Sequence, residues 1–149
     1  MGSYSILNIQ GKSNVIILGG RIVGVDSGTH DRGYGICITN YEDNTSGTTV
    51  FKRSENILIY GVNISTCAGD SIILTKSPST DSNFNSNHVP YNITIRKCVL
   101  HDNRRQGISI QSGIKIVLDD CIMYNIGGKS PETGIDIESE TTTENSGRL

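Results

Sequence analysis

The chain has no tryptophan, three prolines, 5% aromatic residues and only 35% hydrophobic residues among its 149 positions. A compact globule would be thinly supplied with core by that composition, whereas a solenoid burying a narrow column of Ile, Val and Leu needs less. At this length one domain is expected, over residues 1–140, with a polar tail at 141–149. No basic excess exists either. The formal net charge of -2 leaves no field to draw nucleic acid or an anionic membrane surface, so neither partner is expected. No apolar run approaches the roughly 18 residues of a membrane span. The start, Met1-Gly2-Ser3, reads as an added one, with no charged and apolar signal segment behind it.

Four cysteines, Cys37, Cys67, Cys98 and Cys121, lack any C-x-x-C spacing, so a local zinc site is excluded and free thiols are expected. Calcium needs six or more oxygen ligands, and no dense cluster of them is present, so no metal and no cofactor is expected. No segment has the 3.6-residue period of a useful amphipathic helix.

What the chain does have is a repeat. Four segments superpose: N-V-I-I-L-G-G-R-I-V from Asn14, N-I-L-I-Y-G-V-N-I-S from Asn56, N-I-T-I-R-K-C-V-L-H from Asn92 and K-I-V-L-D-D-C-I-M-Y from Lys115. Their starts are 42, 36 and 23 residues apart. A spacing of about 23 suits one bare turn of a three-sided β-helix at roughly 3.3 Å per residue, and the longer spacings imply inserted loops. A second ladder agrees: G-I-C-I at Gly35, S-I-I-L at Ser71, G-I-S-I at Gly107 and G-I-D-I at Gly134. Strand alternation points Ile36, Ile72, Ile108 and Ile135 inward and Cys37, Ile73, Ser109 and Asp136 outward. The pattern predicts an all-β chain, a right-handed parallel β-helix of about four to five coils with two long inserted loops.

Gly20, Val62, Cys98 and Cys121 fall in one inward register, which sets Cys98 and Cys121 on adjacent strands, about 4.8 Å apart. Stacked thiols are the reading preferred to a disulfide. Asn14, Asn56 and Asn92 recur at one corner, where an Asn side chain can hydrogen-bond nearby backbone. The N-x-[ST] patterns at Asn44, Asn63 and Asn92 are too short to assign a glycan. Inserts run from Asn40 to Glu55 and from Lys76 to Tyr91 and read as rims of a groove. No cap is evident at either end of the coils, so the chain is expected to be a piece of a longer protein or to have its ends covered by neighbours.

The chemistry-bearing residues gather on the second ladder. Asp70, Gln106 and Thr133 share one rung position, with Arg104 and Arg105 just upstream and Asp136 and Glu138 projecting from the last coil. Two coils separate Asp70 from Asp136 or Glu138, roughly 10 Å, which suits the carboxylate spacing of an inverting glycosidase. Asp70, Asp136 and Glu138 are therefore the candidate acid and base. Arg104, Arg105 and Gln106 are candidate substrate contacts, since a guanidinium fork fits an anionic sugar. The alternative for the charged residues is a solvated salt-bridge ladder. His30, in the Gly-rich run D-S-G-T-H-D-R-G, is a further candidate substrate contact. His101 and Asp102 fall at a strand end facing out, and Asp119 and Asp120 fill the turn position of Arg96 and Lys97, where a corner role is expected.

The His30 loop followed by G-Y-G-I-C-I, the C-A-G-D-S-I around Asp70, N-R-R-Q-G-I-S-I from Asn103 and G-I-D-I-E from Gly134 resemble right-handed β-helix proteins of the pectate-lyase-like superfamily, of the phage tail-spike or bacterial surface-glycan type. The resemblance runs nearly the whole chain. It implies a polysaccharide partner, a secreted, cell-surface or virion setting and, in tail spikes, a homotrimer. Polygalacturonase strings and the three-Asp calcium set of pectate lyases are absent. Two functions follow as expectations: a polysaccharide depolymerase, hydrolase or lyase, acting on a surface or acidic glycan, or a non-enzymatic shaft or glycan-binding segment.

Overall fold

The computed structural model describes residues 4–25, 33–43, 49–76 and 85–138. The first pass of the chain makes β1 (Tyr4–Gln10), β2 (Ser13–Leu18) and β3 (Arg21–Val23), and β4 (Gly33–Thr39) follows. An antiparallel pair, β5 (Tyr41–Asp43) and β6 (Val50–Lys52), occupies the first insert. Then come β7 (Glu55–Tyr60), β8 (Asn63–Ser65) and β9 (Asp70–Leu74), and after a one-turn 3-10 helix at Ser86–His88 the strands β10 (Tyr91–Arg96), β11 (Val99–His101) and β12 (Gln106–Ile110). The last are β13 (Ile114–Asp119), β14 (Ile122–Tyr124) and β15 (Thr133–Ile137).

Three parallel sheets result, in the orders β1-β4-β9-β12-β15, β2-β7-β10-β13 and β3-β8-β11-β14. Apart from the hairpin, the chain visits the sheets in rotation, and each return lands beside the strand it laid down one pass earlier. Among the described residues there is no α-helix. The fold is all-β, as expected; the first repeat read from the sequence spans the second and third sheets, and the second repeat lies in the first sheet.

The corners explain the recurring asparagines. Asn14, Asn56, Asn92 and Lys115 all have φ between 54° and 58°, a left-handed conformation that Asn tolerates better than other side chains with a Cβ. Their side chains bond each other rather than backbone: Asn56 Nδ2 donates to Asn14 Oδ1 at 3.2 Å and Asn92 Nδ2 to Asn56 Oδ1 at 2.8 Å. A second left-handed column, Gly19, Gly61, Lys97 and Asp120, turns the chain from the second sheet to the third. Arg96 and Asp119, register partners just before it, are joined by a 2.8 Å ion pair, so the corner role expected there holds.

All three sheets contribute to one core. Ile36, Ile72 and Ile108 stack in the first sheet, Ile59 and Ile95 in the second, and Ile64 and Leu100 in the third, each fully buried. Each such side chain contributes roughly 1.5–3 kcal/mol of burial. Ile135 continues the first column in register but is 46% exposed, because β15 is the edge strand. The four cysteines are free thiols; Cys98 is buried and Cys121 half-buried, and their Sγ atoms lie against the carbonyls of Ile59 and Ile95.

Two features of the first sheet go beyond the inward and outward columns read from the sequence. Strict alternation fails where each ladder begins: a Cβ on Gly35 would lie 2.5 Å from Ile64 Cγ2, and one on Gly107 2.9 Å from Met123 Sδ. Both positions therefore face the core, as do the isoleucines that follow them, so two consecutive residues point inward. The residue before each pair is thereby thrown to the outer face. Tyr34 shows this: it clusters with Cys37 and Ile73, apart from the main core. Moreover the outward column is not solvated, since Cys37, Ile73 and Ser109 are buried on that face.

Candidate active site on the outer face of the five-stranded sheet

Register brings Asp70, Gln106 and Thr133 side by side on β9, β12 and β15, as the sequence indicates. The small inward residues Ser71, Gly107 and Gly134 follow them, which sets the three on the outer face. Asn103 secures the turn leading into this row. Itself buried, it accepts from Cys67 N at 2.9 Å and donates from Nδ2 to Ser71 Oγ at 2.5 Å. The sequence showed Asn103 only as part of N-R-R-Q and gave it no role.

The row is buried and short of hydrogen bonds. Asp70 and Gln106 are 0% exposed. Among the described residues, both Asp70 carboxyl oxygens, Gln106 Oε1 and Thr133 Oγ1 find no hydrogen-bond partner. An unsatisfied buried group costs about 1–3 kcal/mol, so four on one row mark a place where stability has been sacrificed. Gln106 Nε2 does have a partner, the Asp136 carboxylate. That bond makes Gln106 a holder of Asp136, with no surface of its own to offer a substrate.

Asp136 stands three residues beyond Thr133 on β15, in register with Ser109, and the strands of Asp70 and Asp136 are two steps apart. The separation of about 10 Å expected from coil spacing counts only the interstrand direction; the offset along the strand lengthens it at the backbone. The charges still sense one another. Burial pushes the Asp70 carboxyl up to about 7, the neighbouring Arg105 charge opposes this, and Glu138 and Asp136 add to it. Glu138 is also raised, first by its hydrogen bond with the Asp136 carboxyl, then by burial and the Asp136 charge, against a hydrogen bond from Gln111 and the charge of Arg105. Gln111 too escaped the sequence reading, being a long polar residue one position past β12.

The two arginines separate in role. Arg105 acts on both Asp70 and Glu138. Arg104 is tied through its backbone, N to Cys67 O at 3.0 Å and O from Lys129 N at 2.9 Å, and its Cγ lies near Gly128. His30 lies outside the described residues. His101 belongs to another place: on the outer face of the third sheet, its Nδ1 is 2.6 Å from Asp102 Oδ2, its Nε2 3.2 Å from Asn63 Oδ1, and its ring stacks on Tyr124. Among the described residues no group of three or more His, Cys, Asp or Glu side chains is arranged to hold a metal ion.

Chemically, the row offers a carboxyl that keeps its proton near neutrality, a second carboxyl pair that shares a hydrogen bond, and one guanidinium whose charge acts on both. No family model and no solved structure matches the chain. Two proteins of Bacillus subtilis (strain 168) do. The SPbeta prophage-derived uncharacterized protein YorA is 33% identical over 138 residues, covering 91% of this chain and 23% of its own length. The uncharacterized protein YclG is 30% identical over 149 residues, with 91% and 23% covered. The chain thus spans less than a quarter of the length of these relatives.

Proposed function

We propose that the three stacked sheets are the faces of a right-handed parallel β-helix of the pectate-lyase-like kind, and that the protein is a polysaccharide depolymerase cutting a surface glycan by hydrolysis. The rotation of the chain through three parallel sheets supports the solenoid, and parallel crossovers are right-handed in about 98% of cases. The observation that carries the chemistry is the Asp70 carboxyl, pushed up to about 7 beside a second carboxyl pair. A general acid must hold a proton at working pH while its partner carboxylate does not, and separate environments for two acids are how glycosidases achieve this.

In this reading Asp70 gives its proton to the glycosidic oxygen as the bond to the anomeric carbon breaks. Asp136, held by Gln106 and paired with Glu138, takes a proton from the water whose oxygen bonds to that carbon. Acid and base stand two strand steps and three residues apart, wider than the pair of a retaining enzyme, so the attacking group in this reading is a water lying between them, as in an inverting enzyme. Arg105 moderates the charge of the row.

A second reading is favoured by the burial of Asp70 and Gln106, which puts the acid beneath the surface: a non-enzymatic shaft or glycan-binding segment. The prophage origin of one relative suits either reading. Mass-spectrometric detection of oligosaccharides released from a panel of bacterial surface glycans decides between them. The depolymerase releases products, and Asp70→Asn abolishes release while the far-ultraviolet spectrum stays unchanged. Absence of products across the panel, from the folded chain, refutes the enzymatic reading.

A further inference from the structure

The second sheet carries two parallel columns on its outer face, away from the acid row. Val15, Ile57 and Ile93 belong to the core, so their neighbours along each strand turn outward. One outward column is Asn14, Asn56 and Asn92, joined by the amide bonds already described. The other, two residues further along, is Ile16, Leu58 and Thr94, in register across β2, β7 and β10. The three asparagines are exposed, Ile16 is 64% exposed, and Leu58 and Thr94 are half-buried. A shallow groove of about 360 Å³ runs between the columns, lined by those six residues and Ile57.

No charged side chain lines the groove. Lys115 continues the asparagine column on β13, but its Nζ stands over the Tyr91 ring, 5.0 Å from the centre. A charged ligand would therefore lose water here without gaining a counter-charge. The ladder engages one N–H of Asn56 and one of Asn92, whereas a side-chain amide has two N–H groups and two lone pairs. Each rung thus keeps donors and acceptors, repeated about every 4.8 Å. Sugar hydroxyls, which both donate and accept, match such a column, and the C–H face of a sugar ring matches Ile16 and Leu58. Size favours a narrow ligand: four strands about 4.8 Å apart and six residues long make a flat face of roughly 400 Å², against about 800 Å² on each side of a stable protein pair. We propose that this groove holds a linear, uncharged glycan lying across β2, β7 and β10, a binding site separate from the acid row and independent of any cleavage there.

NMR of the side-chain amides reads the site directly, with cellohexaose, N-acetylchitohexaose and a galacturonate hexamer as probes. At least one uncharged hexamer should shift the Asn56 and Asn92 amide signals and the Ile16 and Leu58 methyl signals, with saturation below about 10 mM. The galacturonate hexamer should leave them in place. Asn92→Gly keeps the left-handed turn and removes one amide, so it should weaken binding about fivefold, the net worth of one hydrogen bond. Leu58→Glu sets a charge in the groove and should weaken binding at least about tenfold, whereas Asp70→Asn should bind as the wild type does. No shift with either uncharged hexamer, equal shifts with the galacturonate hexamer, or unchanged affinity in both groove variants overturns the proposal. Binding at these residues without released products would sink the depolymerase reading alone, and released products with these signals unmoved would sink this proposal alone.

Discussion

Replacing Asp70 by Asn should make the protein more stable, and increasingly so as the pH rises. Asn has the shape of the neutral carboxyl and cannot ionise. In the unfolded chain the Asp70 carboxyl loses its proton near 3.8, whereas in the fold it holds it to about 7. A carboxyl raised in this way contributes most below its unfolded value, and that contribution is lost as pH climbs toward the folded value. Integrating between the two values gives a penalty of about 1.7 kcal/mol at pH 5 and about 4 kcal/mol at pH 8, at 1.36 kcal/mol per unit. The wild type should therefore lose roughly 2.5 kcal/mol from this residue between pH 5 and pH 8, and Asp70→Asn should lose none of it. Urea unfolding of both proteins at the two pH values reads the difference directly, because other titrating groups are common to both. Equal losses in the two proteins would refute the reasoning, since Asp70 would then be ionised in the fold as it is outside it.

The corner and core geometry make further predictions. Gly107→Ala puts a Cβ 2.5 Å from Gly134 O and 2.9 Å from Met123 Sδ, so it should destabilise by about 1–3 kcal/mol in urea unfolding; Gly61→Ala, with no neighbour within 4 Å at its φ of +65°, should cost only about 1 kcal/mol. Asn56→Ala breaks both rungs of the amide ladder at a left-handed residue and should cost about 1–2 kcal/mol, with Asn56→Gly recovering the backbone part. All four thiols should react with a thiol reagent in denaturant without prior reduction, and reductant should leave the melting temperature unchanged.

Much of the fold is legible in the sequence because a rung must repeat whatever the backbone requires. Asn at a left-handed corner and Ile-x-Ile behind a small residue are local demands, so Asn14, Asn56 and Asn92 and the Gly35, Ser71, Gly107 and Gly134 series announce themselves. Where a rung departs from the demand, the signal disappears. In β1 the residue before Leu7 is Ile6 in place of a glycine, and as an edge strand it exposes that side chain, so the strand pairing Leu7 with Ile36 had no motif to betray it. The β5–β6 hairpin, three residues a side, is too short for periodicity to reveal.

The site was half legible. Its residues share a rung, which spacing alone establishes. What spacing cannot give is that the outer face of this sheet is covered, and burial is what raises the Asp70 carboxyl and leaves Gln106 Oε1 without a donor. Gln106 looked like a substrate contact because outward polar residues usually meet solvent. Here the second inward residue of each pair and the cover over Cys37, Ile73 and Ser109 turn it into a support for Asp136.

The most direct test is a carbon-detected NMR titration of the Asp70 side-chain carboxyl in the folded chain, assigned by its loss in Asp70→Asn. A midpoint near 7 is the result predicted by a buried acid beside Glu138 and Asp136. A midpoint near the ordinary 3.8 would contradict it, and the general-acid role assigned to Asp70 would fall with it.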